Sequence, residues 1–263
     1  MDLLLAGKTA VVTGGSKGIG LEVVRLLVGE GVRVVSGSRS ITAELKETGA
    51  TPVSVDLSTS DGPQRLIDEA LTELGGIDIL INNAGIGDHS SLVEGATSNV
   101  LSLPDSAWQR SFDINFYSAL RASRAAMPSL IERKGVIINV SSVGARLVGT
   151  GPVDYNIAKT ALNALTKALA EQFGPQGVRT IGVSPGPVST SVWTDPDGFI
   201  GQVGKASGVE HEAFVEQLLS TIGSSTGRLT TPEEVARLIV FTASPNNISG
   251  ADYLIDGGAI KTA

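Results

Sequence analysis

At 263 residues the chain has room for one large domain or two small ones, and its 41% hydrophobic content supplies a full core without any stretch long and apolar enough to span a membrane. A formal charge of -7, from 27 acids against 20 bases, argues against a nucleic-acid partner, and an aromatic content of 4% leaves little for stacking bases. Cysteine is absent, which excludes disulfides and thiolate metal sites, and the early acid and short apolar run of Met1 to Lys8 do not make a secretory signal, so a cytoplasmic protein is expected.

The first predicted strand is the apolar run Thr9 to Val12, followed by Thr13-Gly14-Gly15-Ser16-Lys17-Gly18-Ile19-Gly20 and an amphipathic helix over Ile19 to Gly29. Strand, glycine turn and helix N-terminus in that order make a resting place for phosphate. Gly14 supplies a positive φ or a close backbone approach, Gly18 leaves room for a diphosphate, and Gly20 lets the helix sit against the strand. The spacing G-x-x-x-G-x-G departs from the common dinucleotide fingerprint and lacks the G-K-[ST] ending of a triphosphate loop.

A second strand, Val32 to Ser36, leads to Gly37-Ser38-Arg39-Ser40. An acid at this strand end would hold a free ribose hydroxyl; here Ser38 and Arg39 stand instead, with Lys17 as a second cation, a set suited to an extra ribose phosphate. Thr42 to Thr48 reads as a short helix or turn, and Thr51 to Val55 as a third strand ending in Asp56-Leu57, where Asp56 is placed either to accept from an adenine amino group or to cap the next helix. That helix spans Gln64 to Leu74, and a fourth strand, Ile77 to Ile81, stops at Asn82-Asn83-Ala84-Gly85. The small residues there let the chain lie against a nucleotide, and the asparagines can tie adjacent loops together.

Irregular sequence from Ile86 to Asp105 is expected to form a functional flap. A long helix follows over Ser106 to Ile131; Asn115 lies within its core-directed face, where a buried amide binds a water or bends the helix. The fifth strand, Gly135 to Val140, delivers Ser141-Ser142-Val143-Gly144, and Asp154-Tyr155-Asn156-Ile157-Ala158-Lys159 opens a helix to about Phe173. Tyr155 and Lys159, at i and i+4, share a face. An ammonium near a phenol favours the phenolate, and Ser142 is then placed to hold a carbonyl or hydroxyl oxygen while Tyr155 passes the proton.

The glycine pattern of Thr13 to Gly20, Asn82-Asn83-Ala84-Gly85, Asn115, Ser142 and the Tyr155-x-x-x-Lys159 pair, in this order over almost the whole chain, resemble the short-chain dehydrogenase/reductase family. The resemblance implies an α/β fold of Rossmann type, doubly wound, with a seven-stranded parallel sheet and helices on both faces, in a single NAD(P)-binding domain over 1–263. It implies that Tyr155 is the acid/base, that Lys159 lowers its pKa and binds the nicotinamide ribose, that Ser142 orients the reacting oxygen, and that Asn115 holds a relay water. Ser142 is preferred to Ser141 because the family places its serine thirteen residues before the tyrosine. The cofactor is expected against Gly14, Ser16, Lys17, Gly18, Ile19, Gly20, Ser38 and Arg39, with Lys17 and Arg39 marking NADP preference and Asp56 and Leu57 beside the adenine. Asn83, Ala84, Gly85, Tyr155 and Lys159 continue that surface, and Pro185, Gly186, Val188 and Thr190, after a sixth strand over Val178 to Val183, lie over the nicotinamide. Two departures are Ile181, where relatives often carry asparagine, and Ser118, where glycine is frequent.

The segment 190–227, with a helix at Glu210 to Leu219, resembles the family's substrate-binding lid, in which Trp193 and Phe199 either line an apolar wall or form ordinary lid core. His89 and His211 lack companion acids at ligand spacing, so no metal site is expected. Thr231-Pro232-Glu233-Glu234 starts a well-capped helix, and Ser249 to Gly258 holds a seventh strand. Helices 106–131 and 154–173 are the implied interface of a homodimer or homotetramer. These features point to an NADPH-dependent carbonyl reductase acting on a small-molecule ketone or secondary alcohol, broadly similar to 3-oxoacyl-thioester reductases. The alternative within the family is an NAD-dependent secondary-alcohol dehydrogenase. Arg146 is the base available near the site for an acidic carrier, and the lid beside it is mostly neutral or acidic.

Overall fold

The apolar runs with little alternation become central strands buried on both faces, as parallel sheets require. The computed structural model describes residues 2–85, 100–149 and 151–261. Its strands are β1 Thr9–Thr13, β2 Arg33–Ser38, β3 Thr51–Ser54, β4 Ile79–Asn82, β5 Val136–Val140, β6 Arg179–Pro185 and β7 Asp252–Ile255. They pair in parallel in the order β3-β2-β1-β4-β5-β6-β7. The helices are α1 Gly18–Gly29, α2 Ala43–Glu47, α3 Gly62–Leu74, α4 Asp105–Phe112, α5 Ser118–Arg133, α6 Val153–Phe173, α7 Ser191–Thr194, α8 Phe199–Ala206, α9 His211–Ile222 and α10 Pro232–Ala243.

Period-two alternation divides the core into two layers. Val12, Val34, Ile81, Ile138 and Val183 face α1 and α10, packing on Val23, Leu27, Val235 and Ile239. Val11, Val35, Leu80 and Ile137 face the other way, onto Leu66 and Ile67 of α3, Ala122 and Ala126 of α5 and Leu169 of α6. Strand order reverses between β1 and β4, so the crevice beyond their carboxyl ends, at Thr13 and Asn82, is the place where such a sheet takes a ligand.

Local differences from the predicted elements have physical causes. The fourth strand begins at Ile79, two residues later than expected; Asp78 just before it bonds Thr9 and Val136 through its backbone, and its carboxylate accepts from the backbone and hydroxyl of Thr9. The single helix expected over 106–131 is α4, a π-helical turn Asp113–Tyr117 and α5. Asn115 lies in that turn, so the helix is reshaped there, and its amide returns to the Ser111 carbonyl at 2.9 Å. Asp56 does not cap α3: its carboxylate accepts from the backbone and hydroxyl of Ser58, and these bonds hold it below the usual carboxylate pKa. The expected flap falls largely on 86–99, and with it His89 lies outside the described residues.

Candidate active site

The glycine turn is built by its neighbours. Gly14 takes φ +75° and its amide bonds the Gly37 carbonyl at the end of β2. The Asn83 amide reaches the carbonyls of Thr13 and Gly14 at 3.0 and 3.1 Å, while the Thr13 hydroxyl accepts from the backbone of Asn83 and Ala84. Asn83, expected against a cofactor, thus spends its side chain on shaping the turn. A Cβ on Gly20 would lie 2.2 Å from the Gly14 carbonyl oxygen, which is why α1 can begin so close to β1.

The N-terminus of α1 has no side-chain cap and no acid in its first turn, and Lys17 stands exposed at the cap position. Arg39 is exposed beyond β2, and its charge contributes to keeping Asp56 ionised. Ser38, by contrast, is buried and its hydroxyl donates to the Ser40 carbonyl at 2.9 Å; Leu57 packs its side chain into the core. The loop after β6 folds back over the turn: Thr190 Cγ2 is 3.1 Å from where a Gly18 Cβ would stand, and Pro185, Gly186 and a buried Val188 lead up to it. Backbone donors, a positive helix end and a glycine-lined floor suit the diphosphate of a dinucleotide.

Further along the same edge, β5 ends and Ser142 caps a short 3-10 turn, Val143–Ala145, by accepting from the Gly144 amide. Thr160 donates to the Ala145 carbonyl, and the Asn156 amide reaches the carbonyls of Leu147 and Val148, so α6 holds this turn in place. Tyr155, at the start of α6, lies close enough to Ser142 for that hydroxyl to pull its pKa downward. One turn on, Lys159 is buried, donates to the Val140 carbonyl at 2.9 Å and places its ammonium 5.6 Å from the centre of the Tyr155 ring. Asn115 comes from the π-helical turn, and a Cβ on Gly85 would lie 2.8 Å from its Oδ1 and 2.9 Å from Lys159 Nζ. Ser142, Tyr155, Lys159, Asn115 and Gly85 are thus gathered at one edge of the sheet.

Desolvation pushes the Tyr155 phenol above its ordinary pKa, outweighing the opposite pull of Ser142. Burial also brings the Lys159 ammonium down to about 8. Desolvation is the largest cause of both shifts.

Arg146 is not available to an acidic carrier, because it pairs with Asp252 at 3.0 Å. His211 bonds the Trp193 carbonyl, joining α9 to α7, and Ile181 is fully buried in the core. Ser118 donates to the Ile114 carbonyl just beyond the π-helical turn. Sequence reasoning missed the roles of Thr13, Asn156 and Thr160, whose work is done through backbone groups; only Thr13, a polar residue before a glycine at a strand end, carries a local sign of it.

The short chain dehydrogenase family model matches residues 8–197. A 3beta-hydroxysteroid dehydrogenase 1 of Eggerthella lenta is 32% identical, over 97% of this chain and 94% of its own length. Glucose 1-dehydrogenase 2 of Bacillus subtilis is 31% identical over 97% and 95%. Among solved structures, L-sorbose reductase from Gluconobacter frateurii, complexed with NADPH and L-sorbose, superposes with a TM-score of 0.88 at 28% identity, covering 100% of both chains.

Proposed function

The chain belongs to the short-chain dehydrogenase family, and from that premise we propose that it is an NADPH-dependent carbonyl reductase that runs in reverse as a secondary-alcohol dehydrogenase. Family membership makes it an oxidoreductase of alcohols and ketones with a nicotinamide cofactor. The observation that carries the mechanistic reading is that Ser142 at the end of β5, Tyr155 at the start of α6 and buried Lys159 one helical turn on are gathered together, with the Lys159 ammonium 5.6 Å from the centre of the Tyr155 ring. NADP is favoured by two exposed cations, Lys17 at the cap position of α1 and Arg39 just beyond β2. The reading with NAD draws on the Ser38 hydroxyl, which is committed to Ser40 and leaves the phosphate to those two cations. Comparing kcat/KM with NADPH and with NADH separates the two.

When bound, the nicotinamide supplies the hydride that reaches the carbonyl carbon, and it takes one back in alcohol oxidation. Residues Gly14, Ser16, Lys17, Gly18, Ile19 and Gly20 hold its diphosphate side, Asp56 and Leu57 border the adenine through their backbone, and Ala84, Gly85, Pro185, Gly186, Val188 and Thr190 complete the cleft. Ser142 Oγ hydrogen bonds the substrate oxygen. Tyr155 Oη donates its proton to that oxygen as negative charge develops, and the raised pKa keeps the phenol protonated and ready at neutral pH. The positive charge on Lys159 stabilises the phenolate that remains, and Asn115, which like Lys159 borders Gly85, positions the path by which the proton returns. Segment 190–227 covers the substrate as a lid on a single domain, and cytoplasmic subunits pair through the faces of α4 to α6. On the π-helical turn that surface includes Tyr117, 37% exposed, with the Arg121 guanidinium 5.0 Å from its ring centre.

The test is Tyr155→Phe, which keeps the ring and removes the proton. Carbonyl reduction is expected to fall at least 100-fold, in line with general-acid contributions of about 10²–10⁴, with cofactor binding retained. Reduction at the wild-type rate would overturn the assignment.

A further inference from the structure

Asp252 lies on β7, beyond the residues 8–197 matched by the family model. Three donors from three other segments converge on its carboxylate. Arg146 Nη2 reaches Oδ2 at 3.0 Å, Asn163 Nδ2 reaches Oδ2 at 3.2 Å, and Ser184 Oγ donates to Oδ1 at 2.7 Å. Each donor stands close to a residue of the candidate site: Arg146 is four residues after Ser142, Asn163 is one helical turn beyond Lys159 on the same helix face, and Ser184 immediately precedes Pro185-Gly186. Gly182, paired with Asp252 across the β6–β7 ladder, makes the room: a Cβ there would stand 2.9 Å from Oδ1. The buried Oδ1 of Asn163 has no hydrogen-bond partner, so the carboxylate is what orients that amide.

We propose that Asp252 is a positioning residue for the reaction, a carboxylate that locks the turn carrying Ser142, the helix carrying Tyr155 and Lys159, and the strand end at Pro185 into one geometry. This rests on the catalytic reading above. The arrangement differs from simple attachment of β7, because β7 is already joined to β6 along a four-residue ladder from Gly182↔Asp252 to Pro185↔Ile255. What Arg146 adds is a tie between that ladder and the turn after Ser142, a turn otherwise held by Thr160 and Asn156 of α6. Releasing Arg146 lets Ser142 drift relative to Tyr155, and a misplacement near 1 Å costs on the order of 100-fold in rate. It also weakens the pull of Ser142 that draws the Tyr155 phenol down.

The experiment compares Asp252→Asn, Arg146→Met, Arg146→Lys and Tyr155→Phe with the wild type. It measures kcat, KM for ketone, the cofactor dissociation constant by fluorescence titration, and the pH dependence of kcat/KM for alcohol oxidation. Asp252→Asn and Arg146→Met are expected to lower kcat roughly 10- to 100-fold. They are also expected to move the midpoint of the oxidation profile to higher pH and to change cofactor affinity less than about threefold, with Arg146→Lys restoring most of the rate. A purely structural role lowers the melting temperature or the active fraction and leaves the midpoint in place. If Asp252→Asn fails to fold, Arg146→Met carries the test, since the side chain it replaces is 36% exposed. Loss of activity in Tyr155→Phe together with wild-type kcat and an unmoved midpoint in Arg146→Met overturns the positioning role alone. Retained activity in Tyr155→Phe overturns the catalytic reading itself, whatever the other variants do.

Discussion

Gly85→Ala adds one methyl group at the point where β4's end touches the proposed proton path. The new Cβ would lie 2.8 Å from Asn115 Oδ1, 2.9 Å from Lys159 Nζ and 3.6 Å from Lys159 Cε. Ordinary contact for such atoms is near 3.5 Å, so one or both polar groups, or the backbone at Gly85, must give by about 0.6 Å. Neither polar group is a free chain end: Asn115 donates to the Ser111 carbonyl and Lys159 to the Val140 carbonyl, each at 2.9 Å. Overpacking of this kind costs about 1–3 kcal/mol, and alanine returns roughly 0.4–1 kcal/mol by restricting the unfolded chain, because Gly85 is not among the glycines with positive φ. Net destabilisation is therefore about 0–2.5 kcal/mol, a fall in Tm of at most several degrees at this chain length. The rate should suffer far more, since displacement of catalytic groups by a fraction of an ångström to 1 Å reaches about 100-fold. Thermal melts and steady-state kinetics on the same preparation make the comparison. A variant with kcat/KM within twofold of wild type would refute the claim that Gly85 is small because Asn115 and Lys159 need its space.

Arg39→Ala is expected to weaken NADPH binding about tenfold, the low end for a charge-assisted bond at an exposed site, while leaving NADH affinity unchanged; equal losses for both cofactors, measured by fluorescence titration, would remove the phosphate-binding role. Asp78→Asn tests the anchor between β1, β4 and the end of α5, where the carboxylate takes bonds from Thr9, Lys8 and Arg133. Burial raises that carboxyl's pKa, but the Thr9 hydrogen bonds and Lys8 together leave it below its ordinary value. The stability it contributes is therefore present above pH 4 and is lost as pH falls through the lower folded value. Urea midpoints should show a loss of about 1–3 kcal/mol at pH 7 that shrinks by pH 3, the cationic partners being exposed enough to rehydrate. An equal loss at both pH values would show that the ionised form is not what matters.

The sheet was legible because strands buried on both faces leave uninterrupted apolar runs, and because glycine, asparagine and serine punctuate their carboxyl ends. Tyr155 and Lys159 were legible for a geometric reason: helical spacing alone puts them on one face. What escaped were bonds between a side chain and a distant backbone or carboxylate. Nothing near Arg146 announces Asp252, 106 residues away. Periodicity likewise cannot show the inserted residue that makes a π-helical turn at Asn115, since the apolar positions on either side keep helical spacing. Ser38 and Arg39 illustrate the limit at a single strand end. Residue type alone offers both to a phosphate, but the pleat buries Ser38 and turns its hydroxyl back to Ser40, leaving Arg39 exposed.

The direction of the two pKa shifts bears on which way the site is prepared to work. Had Lys159 lain free beside Tyr155, its charge would have favoured the phenolate, a base suited to alcohol oxidation. Anchored on the Val140 carbonyl and buried, it instead has a pKa near 8 of its own, while burial holds the phenol neutral. At pH 7 the resting pair is a neutral phenol beside an ammonium, which is the protonation state a carbonyl needs when its oxygen takes up a proton. On the proposed mechanism, oxidation starts from the opposite state of Tyr155, toward which Ser142 pulls the phenol. The positioning proposed for Asp252 then bears on the balance between the two directions, because the turn after Ser142 is tied to β7 through Arg146 and Asp252.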